Sequence, residues 1–306
     1  MRPGTHRESA TSGAPAAGAG TRRRRRLDAL ASLLSDDADT VRAQVRAHLL
    51  RAGPEALPAL RRAAAGEQPR IRARARGLLL EMEQREALRR LARFAVREPL
   101  DLERALFLLA RFHAPGLDPR PYQRALDAFA AGVARRAAAE SDPMKRALTL
   151  VEHLGGEVGM GGSVGEFHHP DNIDLHRAIE RRAGMPLTLS ALWLFVARRA
   201  SIQAALVPLP GHVMLRLTGD RQSVIVDPYH KGRVRTEAEC REYLRRHGLP
   251  ARPSAFQDAQ PGMMLRRQVS NLLRSARMRG LSREVRSLAA LLRALEPRRE
   301  PGRLPA

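Results

Sequence analysis

Four residues in the second half of the chain have the side chains that hydrolysis or acyl transfer requires: Ser190, His212, Asp227 and Cys240. His212 follows Pro210-Gly211 at the start of a strand-like run, and Asp227 precedes Pro228 at the end of the next. Antiparallel pairing of the two runs through a turn at 218–222 brings imidazole and carboxylate together, and the carboxylate then fixes the tautomer a general base needs. Such a pair also needs a nucleophile. Cys240 comes after Asp227 in the chain and shares the apolar face of a helical segment with Leu244. It reads as a buried structural thiol. His168, His169, His176, His212 and His230, with Asp171 and Asp174, have the donor atoms of a metal site. No His-x-x-x-His pair lies on one helix face, however, and His169-Pro170-Asp171-Asn172 reads as a turn and helix cap. The expectation is no metal and no cofactor.

Residues 167–229 carry four motifs in order: Phe167-His168-His169-Pro170-Asp171-Asn172, then Arg181-Arg182-Ala183-Gly184-Met185-Pro186-Leu187-Thr188-Leu189-Ser190, then Pro210-Gly211-His212, then Val226-Asp227-Pro228-Tyr229. Together they resemble the SirB-type family of bacterial proteins, a branch of the transglutaminase-like superfamily. The resemblance extends upstream to Leu108-Ala110-Arg111 and Leu117-Asp118 and downstream through the helices of 261–297. It implies a papain-like core in which a cysteine at the start of a buried helix attacks, a histidine takes its proton and an aspartate orients the histidine. The helix dipole would stabilise that thiolate.

His212 and Asp227 match the family's histidine and aspartate. The cysteine position falls on Pro186, which has no nucleophile but suits the first turn of a helix. Ser190 lies one turn further on, on roughly the same face, and is the substitute to consider. Its hydroxyl needs far more activation than a thiol and sits away from the positive end of the dipole. The bland reading is a packing hydroxyl bonded within the helix. Asn172, Thr188 and Tyr229 flank these positions and are expected to contact a ligand.

The elements that must position these groups follow from hydrophobic period. Residues 1–26, ending in Arg22–Arg26, read as a disordered basic tail. Helical spacing begins at Leu27 and continues in short segments broken at Ser35-Asp36-Asp37, Gly53-Pro54 and Gly66-Glu67-Gln68-Pro69. Two polar turns that each open a helix, at 36–42 and 68–72, make 27–98 resemble HEAT-type repeats. Residues 99–250 are expected to form the core with a helical lead-in, and 251–306 a tetratricopeptide-like helix pair joined at Gly280. Within the core, a helix is expected near 187–200, strands at 202–207, 211–217 and 223–227, and a helix capped by Thr236. Residues 155–166 are glycine-rich without a Gly-Lys-Ser/Thr, so they read as a mobile loop at the rim and not as a phosphate cradle.

Composition narrows the class further. The net charge of +22 invites a nucleic-acid reading. Yet only Lys145 and Lys231 are lysines, so the charge is nearly all arginine, as a GC-rich coding sequence would supply on solvated helix faces. Aromatic residues make up 4% of the chain, too few for a base-stacking platform. No run of 18 apolar residues suggests a membrane span, and the polar start lacks the apolar segment of a secretory signal. A single cysteine agrees with a reducing compartment. The expectation is an α+β protein: a papain/transglutaminase-like core, one central helix against a small antiparallel sheet, flanked by α-helical repeats. Its expected role is a non-catalytic cytoplasmic module that binds a protein, peptide or small ligand. Two alternatives stand beside it: a hydrolase using Ser190 or water with His212 and Asp227, and a nucleic-acid-associated protein acting through Arg22–Arg26.

Overall fold

A computed structural model describes residues 16–296, apart from 98, 164 and 221. The chain divides between Gln84 and Arg85 into two units, a boundary that falls inside a helix rather than at residue 98.

The first unit contains α1 (Ala16–Ser32), α2 (Asp39–Ala52), α3 (Leu57–Ala65) and the first part of α4 (Pro69–Ala95). Leu27, Ala31, Leu34, Val45, Leu49, Leu60 and Leu78 bury at helical spacing to form its core. Of the expected tail, residues 1–15 lie outside the described residues. Arg22–Arg26 are helical, inside α1. Alanine and arginine are strong helix formers, so the turn before Leu27 extends the amphipathic helix, and Arg23 pairs with Glu55. Apolar stripes at Ile71–Leu79 and Leu88–Val96 read as two helical segments in the sequence, and all but Val96 fall in one 27-residue helix. The residues between them, Leu80 to Ala87, include no glycine or proline to break it.

The second unit is built around α10 (Pro186–Arg199), whose residues from Pro186 to Ala197 are all buried. A helix apolar on every side requires neighbours all round. They are α6 (Arg120–Ala137), α9 (Leu175–Arg181), α12 (Pro261–Met278) and a four-stranded sheet. The sheet is antiparallel in the order β3 (Ala204–Val207), β4 (Met214–Thr218), β5 (Ser223–Asp227), β6 (Arg233–Arg235). Leu206, Leu215, Leu217 and Val226 point into the main core with α10, and the alternate residues Val207, Met214 and Ile225 pack under α11 (Glu237–Arg246) with Cys240, Leu244 and Phe256. The sheet is therefore covered on both faces, which is why its strands are apolar runs and not clean alternations. Further helices α5 (Leu102–Ala110), α7 (Pro143–Val151), the short α8 (Pro170–Ile173) and α13 (Ser282–Ala294) belong to the same unit. Among the described residues no helix is long and apolar enough to cross a membrane.

Helix α11 opens with a reciprocal cap. The Thr236 hydroxyl accepts from the Glu239 backbone N–H at 3.1 Å, and the Glu239 carboxylate accepts from the Thr236 N–H at 2.7 Å. Thr236→Ala is expected to cost about 1 kcal/mol, read as a lowered urea midpoint with an unchanged slope.

Residues 155–162 of the glycine-rich segment are packed, contrary to the expectation of a mobile loop. Glu152–Glu157 form a π-turn, and Gly161-Gly162 pair in parallel, as β1, with Ala183-Gly184 as β2. A methyl on Gly155 would sit 2.1 Å from the Lys231 carbonyl oxygen, and one on Gly162 would sit 2.6 Å from the Tyr229 ring. Glycine is needed at both positions because the segment is pressed against the turn that follows β5.

Candidate functional site

The strand pairing sets the centre of the site. Leu215 faces Val226 across the β4–β5 ladder, so His212 just before β4 and Asp227 at the end of β5 meet. Gly211, at φ +75°, makes the bend that turns the His212 ring inward. His212 Nε2 lies 2.9 Å from Asp227 Oδ1. Asp227, 1% exposed, also caps the short turn Pro228–His230 by accepting the Tyr229 N–H at 3.1 Å. That turn brings His230 back, with its Nδ1 2.7 Å from Asp227 Oδ2. One buried carboxylate thus serves two imidazoles. Burial alone would raise its pKa, but the hydrogen bonds and charges of His212 and His230 outweigh that and hold it below the usual carboxylate value. Edge contacts from Tyr229 and a tilted contact from Tyr243 hold the His212 ring, with centroids at 5.9 and 6.1 Å.

These groups form one wall of a cleft of about 550 Å³, which Phe167, Pro186, Arg233, Arg246 and His247 also line. Pro186 occupies the first turn of α10, at the helix end that faces the cleft. Its missing N–H costs nothing there.

Ser190 is not part of the cleft. It is fully buried, and its hydroxyl donates to the Val213 carbonyl at 2.9 Å, tying α10 to the residue after His212. A hydroxyl committed to a carbonyl inside the core has no route to a substrate, which corrects the expectation of a substitute nucleophile. Thr188 and Asn172, expected to contact a ligand, are also core residues. The Thr188 hydroxyl donates to the Ile173 carbonyl at 3.0 Å and accepts from Gln268 at 2.8 Å. The Asn172 side chain donates to the Glu166 carbonyl and accepts from Arg181, both at 2.8 Å. Each is placed to satisfy buried polar groups, and neither lines the cleft. Tyr229 does line it. Cys240 is buried with its sulfur 3.9 Å from that of Met214, and burial pushes its thiol up to about 11, far from a reactive thiolate.

The sequence reading weighed His230 only as one of several metal donors, and it did not place Tyr243 or the rim arginines in the site. The available signal was the spacing Asp227-x-x-His230 across Pro228, which folds a turn that returns the second ring to the same carboxylate.

Comparison with known proteins places these features. Residues 120–270 match the family described as the transglutaminase-like superfamily. Over 151 residues the chain is 32% identical to a UPF0162 protein of Xylella fastidiosa, covering 49% of this chain and 53% of that one. A UPF0162 protein of Pseudomonas aeruginosa is 28% identical over 178 residues, 57% of this chain and 64% of that one. F-box only protein 21 of Mus musculus is 25% identical over 131 residues, 40% of this chain and 20% of that one. The chain thus spans about half the length of the Xylella relative and a fifth of the F-box protein. No solved structure matches it. The α+β core around α10, with its small antiparallel sheet and helical flanks, is the part of the chain that resembles the transglutaminase-like superfamily.

Proposed function

We propose that this is a non-catalytic transglutaminase-like protein of the SirB type, a cytoplasmic module that holds a protein, peptide or small ligand in the cleft beside His212 and Asp227. The observation that carries this reading is the occupant of the helix start facing the cleft. It is Pro186, where the superfamily's chemistry would use a cysteine. The nearest hydroxyl on that helix face, Ser190, is bonded to a backbone carbonyl in the core. What remains is a preformed concave site with Phe167, Tyr229 and Tyr243 on its walls, and aromatic side chains of this kind anchor peptide ligands. HEAT-like helices in the first part of the chain and a tetratricopeptide-like pair near its end would each offer a partner a surface of its own.

The test has two parts. The full chain, incubated with p-nitrophenyl acetate and with a glutamine-containing peptide plus an amine fluorophore, is expected to give no turnover above the protein-free rate. Peptides selected by display against it are expected to bind at least about fivefold more weakly to Phe167→Ala, an exposed aromatic of the cleft. Turnover abolished by His212→Ala overturns the non-catalytic reading. Selected peptides indifferent to Phe167→Ala overturn the cleft as the binding site.

A further inference from the structure

We propose that His212, Asp227 and His230 form a binding site for a divalent transition-metal ion at the inner wall of the cleft. This inference stands independently of the peptide-binding role. One ring nitrogen each of His212 and His230 and a carboxylate oxygen of Asp227 all lie within 4.8 Å of one another. Two imidazoles and one carboxylate are a donor set for Zn(II), Co(II) or Ni(II). They are a poor set for Mg(II) or Ca(II), which take oxygen ligands.

The backbone makes the arrangement rigid. Asp227 and His230 stand three residues apart on a single 3₁₀ turn, opened by Pro228 and closed by Lys231 at φ +55°. His212 is fixed from the neighbouring strand and by the Tyr229 and Tyr243 rings. Zinc-type ligands sit about 2.0–2.2 Å from the ion, so donors on one ion stand about 3 Å apart. His212 Nε2 and His230 Nδ1 now face different oxygens of Asp227, at 2.9 and 2.7 Å, so the side chains turn to aim both nitrogens and one oxygen at a shared ion.

The ion takes the place of the ring protons now directed at Asp227. Both imidazoles bind as neutral rings, with their protons on His212 Nδ1 and His230 Nε2, and any second ring proton is released to solvent. The Tyr229 N–H keeps its hydrogen bond to the carboxylate and orients it, as outer partners of metal ligands do. Entry is open, because the His230 side chain is 53% exposed and the cleft supplies space for a further ligand or water on the ion.

The full chain, stripped with EDTA and desalted, is titrated with Co(II) under an absorption spectrometer and with Zn(II) by calorimetry. One equivalent is expected to bind, with visible d–d bands for Co(II). His230→Ala, at a half-exposed side chain, is expected to lower the Zn(II) affinity at least about tenfold and remove the bands. His230→Cys is expected to restore binding and add a thiolate charge-transfer band. His48→Ala, at an exposed ring in the first unit, is expected to change neither. The absence of stoichiometric binding, or equal binding by His230→Ala, overturns the proposal.

Discussion

Pro186→Cys, made in a Cys240→Ala background, is expected to give a thiol that iodoacetamide alkylates about tenfold faster at pH 7 than an unperturbed cysteine. The position lies in the first turn of α10, where unpaired backbone N–H groups and the dipole favour an anion. It opens on the same cleft as His212, which Asp227 holds in place. These are the conditions that lower a thiol pKa toward neutrality. An unperturbed thiol is only a few per cent ionised at pH 7. A pKa near neutrality raises the thiolate fraction over tenfold, and the lower intrinsic nucleophilicity takes back part of that gain.

The background substitution removes Cys240, whose thiol is buried and pushed up to about 11. Losing proline from the first turn is expected to lower stability by less than about 1 kcal/mol. Adding His212→Ala should return the rate most of the way to that of the unperturbed thiol. If Pro186→Cys alkylates no faster than a free thiol, the cleft does not retain the geometry of a nucleophile and its base. The Pro186 reading would then lose its chemical meaning.

The parts of this protein that were legible in sequence share a physical cause. Strands β4 and β5 are apolar runs joined by a short turn, so their antiparallel pairing, and with it the His212–Asp227 contact, followed from chain order. Helix α10 announced itself by length, by Pro186 at its start and by unbroken apolar content. What was missed depends on contacts between elements that the local residue pattern does not record. β6 is only Arg233-Val234-Arg235, and it is a strand because β5 offers it a free edge. The glycines of 155–162 look like loop residues until Lys231 and Tyr229 are placed against them. Ser190 and Thr188 have the right types near the right place. Their roles were decided by whether the Val213 and Ile173 carbonyls needed a donor, and local sequence carries no record of that.

The same kind of long-range contact gives the chain a pH response away from the cleft. The unfolding free energy is expected to fall as pH rises from about 6.5 to about 9, because of His113. This ring follows α5, is 19% exposed, and places Nδ1 2.8 Å from Asp174 Oδ2 and Nε2 3.8 Å from Glu284 Oε2. It joins the cap of α9 to α13. Burial alone would favour the neutral ring, but hydrogen bonds and charges from Asp174 and Glu284 outweigh it and push the pKa up to about 9. Below the unfolded value of about 6.5 both states hold the proton, and the full contribution is present. Between 6.5 and 9 the unfolded chain releases the proton while the folded chain keeps it, so stability declines. Above 9 both are neutral and the contribution is gone. A gap of this size corresponds to about 3 kcal/mol as an upper bound. Urea unfolding at pH 6, 7.5 and 9.5 reads it directly. His113→Gln is expected to be less stable than wild type at pH 6 and to converge with it by pH 9.5, since a neutral amide can donate to Asp174 but brings no charge. Parallel pH profiles for the two proteins would mean that the ring is neutral in the fold. The Asp174 and Glu284 carboxylates would then be holding α9 and α13 together without a cation between them.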